Sequence, residues 1–375
     1  MNILINLIPI KSGGGQQVIS NFVIQTLKHK DVSFVYLVSE NTYIHNMLVE
    51  QNNIRYYVVK NSLIGRFVFQ AIKLKQIVKK EKTDIIYTVF GPGLHCNGVK
   101  SITGCAYSNL FFPEINFWQG YSPVKKTIDY YRLKSTLKSD GIIFENQAMM
   151  DRASLLFNYP ENRMRLILPS VTQYENREID NSFLSRMLQI KENDFNILIL
   201  SGWHKNKNIE MIPFILDELK KRGRNNVKFI ITVSKQHPKS IKLHESAKQY
   251  DVEKQIIFFD TILPHEVPVI FKKIDAVMLL SLLESFSNNI IESWFFKKPL
   301  FISDKEWSRK ICKNAAIYIE RENSKDIAEK VINYIEDIDI QRIILKNSDE
   351  ILKEYPTPQE KIKLQIDFIK YIYEK

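Results

Sequence analysis

From one end to the other, the chain alternates short β-branched or apolar runs with stretches whose apolar residues recur at helical spacing. The runs fall at residues 2–8, 32–38, 54–59, 84–89 and 141–144, then at 195–200, 227–232, 256–259, 275–280 and 300–303. Helical spacing fills most of the gaps, for example at 16–27, 64–80, 208–221 and 287–296. Parallel strands need a crossover between them, so strand-helix alternation implies parallel sheets covered by helices on both faces. These runs are too many for one compact sheet. The pattern breaks at 173–183, where Asn, Glu, Arg and Asp interrupt it, and it resumes at Phe195. The expectation is α/β architecture with two Rossmann-like, doubly wound domains, 1–174 and 175–358, facing a cleft, with ligands at the carboxyl ends of the strands. A last helical stretch, 359–375, follows Tyr355-Pro-Thr-Pro with no strand after it and is free to pack back on the first domain.

At 375 residues, 45% hydrophobic and 25% charged, the chain has enough apolar material for two cores. No apolar run reaches bilayer-spanning length, and residues 2–8 enter a strand without a basic leader, which sets the expectation of a cytoplasmic protein. Three cysteines, Cys96, Cys105 and Cys312, are too few to staple such a chain and lack metal-ligand spacing, so reduced thiols are expected. Residues 1–174 hold 20 Lys and Arg against 11 Asp and Glu; the rest holds 33 against 31. The basic excess thus sits in the first half, around 73–82 and 125–138, interleaved with apolar and aromatic side chains. Such stretches suit either an anionic membrane surface, peripherally on the inner face of the plasma membrane, or plain solvent. Nucleic acid is not expected, because no binding motif accompanies the charge.

Two carboxylates carry the strongest chemical signal. Glu284 and Glu292 stand eight apart, directly after the run at 275–280, so Glu284 lies at a strand's mouth and Glu292 two turns into the next helix. The N-terminus of such a helix offers free N–H groups and partial positive charge to a diphosphate, while carboxylates can grip sugar hydroxyls. Upstream, the run at 195–200 ends in Gly202-Trp203-His204-Lys205-Asn206-Lys207-Asn208, a polar loop before the next helix. In the first half Gly13-Gly14-Gly15 precedes a helix, where bare backbone can approach a ligand. These glycines lack the spacing of a dinucleotide fingerprint.

In this order the segments resemble glycosyltransferase family 4, the retaining enzymes of the GT-B fold, of the type that builds bacterial cell-surface polysaccharide. The resemblance implies that Glu284 contacts the transferred sugar, that Ser285, Phe286, Ser287 and Asn288 meet sugar and phosphate, and that Glu292 holds the ribose. It also implies a phosphate loop at Gly202 to Asn208 with Lys207 on the leaving diphosphate. Two positions depart from the family pattern: Ser287 replaces a glycine, and Trp203 stands where an arginine is usual, leaving His204 or Lys205 to supply a second cation. On the acceptor side the resemblance points to the loop Gly13, Gly14, Gly15 and to Tyr107 and Ser108, near which relatives carry a histidine; His95 comes earlier in the chain.

The implied activity moves a sugar from a nucleotide-diphosphate sugar to a glycan or lipid-linked hydroxyl, with no cofactor and no metal. Asp337-Ile338-Asp339 imitates a metal-binding Asp-x-Asp but reads as a helix end. Two rivals stay open: a nucleotide-sugar epimerase of the same shape, which needs no acceptor, and a nonenzymatic sugar- or nucleotide-binding protein.

Overall fold

The computed structural model of the chain describes residues 1–10, 14–29, 31–51, 54–115, 122–171, 174 and 177–375. The chain forms two compact units, Met1–Thr172 with Pro356–Lys375, and Gln173–Tyr355.

In the first unit the strands are β1 (Asn2–Asn6), β2 (Ser33–Ser39), β3 (Arg55–Val59), β4 (Ile85–Thr88), β5 (Lys100–Cys105), β6 (Gly141–Phe144) and β7 (Met164–Leu166). They build a seven-stranded sheet in the order β3-β2-β1-β4-β5-β6-β7, every pair parallel. The second unit contributes β8 (Phe195–Ile199), β9 (Val227–Ile231), β10 (Ile256–Phe258), β11 (Ala276–Leu279), β12 (Leu300–Ser303) and β13 (Ile317–Ile319). Its six-stranded sheet runs β10-β9-β8-β11-β12-β13, again all parallel. Strands β4, β6, β11 and β12 are buried at every residue, which is why each reads as a continuous apolar run without alternation. Both sheets reverse their strand order beside the first strand, at β1/β4 and at β8/β11. Doubly wound sheets bind ligands at this switch point, outside the carboxyl ends of the strands.

All ten runs read from the sequence are strands; β5, β7 and β13 were not anticipated. Two are only three residues long, too short for a period to register. The third, Lys100-Ser-Ile-Thr-Gly-Cys105, is polar in sequence, yet buried. Its hydroxyls are satisfied internally, Thr103 with Ser139 at 2.7 Å and Ser101 with His95 at 2.9 Å. Gly104 is required there, since a Cβ would lie 1.9 Å from the Val89 carbonyl oxygen.

The last helix, Pro358–Glu374, belongs to the first unit. Thr357 and Glu360 form its capping box, and its buried Ile362, Ile366, Phe368, Ile369 and Ile372 join the core made by Ile3, Ile5, Ile85 and Ile102. Each such burial contributes roughly 1.5–3 kcal/mol. Polar contacts set its position: Lys361 pairs with Glu145 at 2.6 Å, Gln365 donates to the Tyr87 hydroxyl at 3.0 Å, and the Lys100 ammonium donates to the carbonyls of Ile372 and Tyr373 at the helix end. Gly141 leaves the room Ile372 needs, because a Cβ would sit 2.9 Å from that side chain. Among the described residues no helix is long and apolar enough to cross a membrane, and the three cysteines are free.

Candidate functional site

The segments after β8 and β11, neighbours at the switch point of the second sheet, are laced together by one buried side chain. Asn206 donates to the Leu283 carbonyl at 2.7 Å and accepts from the Leu283 N–H at 2.9 Å, while its own carbonyl accepts from the Leu282 N–H at 3.0 Å. A side-chain amide so paired to one backbone unit mimics an extra step of sheet. It fixes the turn Lys205–Lys207 against the strand end and brings the Lys207 ammonium onto Glu284 Oε1 as an ion pair. The side chains of Lys207 and Glu284 are only 22% and 16% exposed, so their attraction is less screened than on an open surface. Asn208 then takes a left-handed conformation, φ 50° and ψ 35°, which asparagine tolerates better than most residues, and donates to the Arg321 carbonyl at 2.7 Å.

The rest of the loop divides between open and spent groups. Gly202 has no atom within 4 Å of where a Cβ would stand, and Lys205 is exposed. His204 caps the turn, its Nδ1 accepting from the Asn206 N–H at 3.1 Å, so that nitrogen is committed to the backbone. Trp203 turns away onto the neighbouring helix Pro238–Gln249: its indole donates to Ser240 Oγ at 3.1 Å, stacks on His237 and lies under Lys239.

After β11 the helix Asn288–Phe295 begins at Ser287, which is extended but makes no side-chain cap bond. Asn289 ties this helix to β8's end by donating to the Leu200 carbonyl at 2.8 Å, and Phe286 packs toward Tyr355. Among the described residues Glu284 and Glu292 share no partner. Glu292 is 8% exposed and accepts from the Tyr174 hydroxyl at 3.0 Å through Oε1, while Oε2 is buried with no hydrogen-bond partner among the described residues. Burial pushes this carboxyl up to about 7, the Tyr174 bond drawing it back a little. The same burial, with the neighbouring carboxylate, raises the Tyr174 phenol.

Of the first-unit candidates, Gly13 lies outside the described residues; Gly14 and Gly15 form the first turn of the helix Gly14–Thr26 instead of a loop before it. Tyr107 carries the Arg132 guanidinium 4.8 Å from its ring centroid, and Ser108 opens a short turn, Ser108–Leu110, its carbonyl accepting from Phe111 and Phe112. His95 is held from both sides, Nδ1 with Ser101 Oγ at 2.9 Å and Nε2 with the Ser135 carbonyl at 2.8 Å. Burial lowers its pKa. Both nitrogens are therefore used within the first unit. Asp337 caps the helix Ile338–Leu352, its carboxylate accepting from Asp339 and Ile340 N–H. No cluster of three or more metal-ligating side chains occurs among the described residues.

Asn206, Tyr174 and Arg321 were not singled out from the sequence. Asn206 was hidden among cations, Tyr174 lies where the periodic pattern breaks, and Arg321 follows β13, a strand too short to signal itself. Arg321 is 6% exposed; Nε donates to the Leu280 carbonyl at 2.9 Å, Nη2 lies 3.5 Å from the Asn206 carbonyl, and Nη1 meets Glu322 at 2.5 Å.

Two parallel α/β units of this kind make the GT-B fold, and the second of them has a Lys–Glu pair and a helix N-terminus without a side-chain cap at its switch point. The second unit carries the family domain itself: residues 180–350 match the model of the glycosyl transferases group 1. That match speaks for an enzyme over the nonenzymatic reading. No curated protein matches the chain in sequence. Among solved structures, HepE of Anabaena in complex with UDP and glucose is similar over 99% of both chains, with a TM-score of 0.69 and 15% identity. A glycosyltransferase from Rickettsia africae is similar over 99% of this chain and 98% of its own, with a TM-score of 0.72 and 14% identity. The sucrose-phosphate synthase of Thermosynechococcus elongatus is similar over 100% of this chain and 99% of its own, with a TM-score of 0.74 and 12% identity. At such identities the likeness speaks for the fold alone.

Proposed function

We propose that this enzyme transfers a sugar, with retention of configuration, from a nucleotide-diphosphate sugar to an acceptor hydroxyl in cell-surface polysaccharide or lipopolysaccharide synthesis. The observation that carries the reading is the Lys207–Glu284 pair, held by Asn206 beside the uncapped helix start at Ser287. A diphosphate arriving at that helix end meets free N–H groups and can draw the ammonium from Glu284, which frees a carboxylate for the sugar hydroxyls. The sugar C1–phosphate oxygen bond then breaks with its electron pair on the phosphate oxygen. The acceptor oxygen bonds to C1 from the same face, and its proton passes to the leaving phosphate oxygen. Catalysis rests on positioning and charge stabilisation, with no metal or cofactor assigned a part. Gly202, His204, Lys205, Asn208, Ser285, Phe286, Ser287 and Asn288 complete the donor side of this reading. A ribose hydroxyl would satisfy Oε2 of Glu292, which has no hydrogen-bond partner among the described residues, or displace Tyr174 from Oε1. We assign the acceptor, a glycan or a lipid-linked sugar, to the first unit, with Gly13, Gly14, Gly15, Tyr107 and Ser108 as candidates.

Incubation with UDP- and GDP-sugars, with and without glycan acceptors, tests the proposal. Nucleoside diphosphate is expected only when acceptor is present, and the product linkage keeps the donor's anomeric configuration by NMR. A changed donor sugar formed without any acceptor would instead establish an epimerase. Calorimetry with the bare nucleoside diphosphate separates the glutamates: Glu292→Gln weakens binding, whereas Glu284→Gln lowers turnover with little change in affinity. Equal affinity losses would refute that division.

The basic surface of the first unit supports a peripheral place on an anionic membrane at the cytoplasmic face. On the helix Pro123–Leu137, Val124, Ile128, Tyr130 and Tyr131 are 68%, 44%, 60% and 63% exposed, close to Lys126 and Lys134. Lys73, Lys75, Lys79, Lys80 and Lys82 are exposed on and after a second helical stretch. Vesicle binding should grow with anionic lipid content and fall steeply with salt, since the attraction decays over a Debye length of about 8 Å at physiological ionic strength. Changing Lys79, Lys80, Lys125 and Lys126 together to Gln should release the enzyme while transfer to a short soluble acceptor continues. Sedimentation indifferent to lipid charge would return these lysines to the role of solvated surface.

A further inference from the structure

We propose that Arg321 is a positioning residue for the donor site, holding the turn on both sides of Lys207 so that its ammonium stays where the diphosphate must arrive. The inference rests on the reading of Lys207 given above. Lys207 lies between Asn206 and Asn208, and each of these neighbours is tied to the same arginine. Asn208 donates to the Arg321 carbonyl at 2.7 Å, and the Arg321 guanidinium reaches the Asn206 carbonyl with Nη2 while Nε donates to the Leu280 carbonyl at 2.9 Å. Leu280 follows β11, Asn206 belongs to the segment after β8, and Arg321 follows β13. One side chain therefore ties together three separate loops at the strand ends.

The chemistry explains why an arginine stands there. A planar guanidinium can direct Nε and Nη2 at two carbonyls from different segments simultaneously, which a lysine ammonium on a flexible stem cannot reproduce. The arrangement is also a poor way to gain stability. Arg321 is 6% exposed, and its carboxylate partner Glu322 has a side chain 75% exposed. Burying a guanidinium carries a desolvation penalty that such contacts must offset, and replacing buried charges by apolar groups is often neutral or stabilising. The Nη2 contact, at 3.5 Å, is long for a hydrogen bond, so its weight comes from the charge facing a carbonyl dipole. What the group supplies is register for the turn that carries Lys207.

Titration of UDP and of GDP into the wild type, Lys207→Ala, Arg321→Met, Arg321→Lys, Asn208→Gly and the double variant Arg321→Met with Lys207→Ala tests this. Lys207→Ala should weaken binding of the recognised nucleotide about tenfold or more, in keeping with the loss of a charged hydrogen bond. Arg321→Met should do nearly the same, and Arg321→Lys should fall between it and the wild type. The double variant should bind no worse, within about twofold, than Lys207→Ala alone, because a residue acting through Lys207 has nothing left to position. Asn208→Gly keeps the left-handed backbone and removes the other tie, so it should reproduce the Arg321 effect even if Arg321→Met folds poorly. Losses that multiply in the double variant, or Arg321 and Asn208 variants that bind as the wild type does, would overturn the proposal and leave the donor site standing. Undiminished binding by Lys207→Ala would remove the donor-site reading, and this inference with it.

Discussion

Replacing Lys207 by Ala is expected to lower the rate of sugar transfer by about 10²-fold or more, the scale on which losing one preorganised electrostatic stabiliser is felt. In the resting enzyme the ammonium is matched to Glu284; in the transition state it would face the charge collecting on the leaving diphosphate, and an interaction that strengthens along the reaction acts on turnover. The fold should survive. Glu284 loses its cation but keeps some solvent, with a side chain 16% exposed, and Asn206 still joins the loops through two bonds to the Leu283 backbone. Lys207→Arg should recover part of the rate, because charge returns with a different geometry. Steady-state rates of the purified variants decide the matter, and near-normal turnover by Lys207→Ala would place the leaving group elsewhere.

The second large effect concerns Glu292 and stability. Its carboxyl, moved from 4.5 to about 7 by burial, holds its proton in the folded chain over a range in which the unfolded chain has already released it. Below about pH 4.5 both states are protonated and nothing is lost. Between about pH 4.5 and pH 7 the unfolded state binds fewer protons, so this residue makes stability fall as pH rises; above the folded value the deficit is constant. The displacement corresponds to roughly 3 kcal/mol. Glu292→Gln cannot titrate, so measured against the wild type it should gain about that much on going from pH 4.5 to pH 7.5, whatever the offset at low pH. Denaturant unfolding of both proteins across this range reads the difference directly. Parallel curves would mean that Glu292 ionises normally, with water or a cation reaching Oε2.

Much of the architecture is legible in the linear chain because a parallel sheet covered on both faces leaves a repeating mark, an apolar run followed by a helical period. The same mark puts Lys207 after one strand and Glu284 after another, and their meeting at the switch point follows from strand order, which a sequence does not print. Where the mark failed, the reasons are local. β5 is written in Ser, Thr and Gly because its hydroxyls bond to Ser139 and His95 and its glycine admits the Val89 carbonyl. His95 illustrates the converse: a histidine near the acceptor-side segment invites a chemical role, but its ring is held by Ser101 six positions on and by the Ser135 carbonyl forty positions on.

By itself, then, the sequence determined what depends on residues near one another along the chain: the run of strands and helices, the break between two α/β halves, and the polar loops that follow particular strands. Only the tertiary structure decided what depends on residues far apart. It set the return of Pro358–Glu374 to the first core, the burial that raises Glu292 under Tyr174, and the hold of Arg321 on the turn that carries Lys207. The physical reason is that hydrogen bonding and desolvation depend on proximity in space. Asn206 and Leu283 stand 77 positions apart, and Tyr174 and Glu292 stand 118 apart, so no local pattern records those meetings.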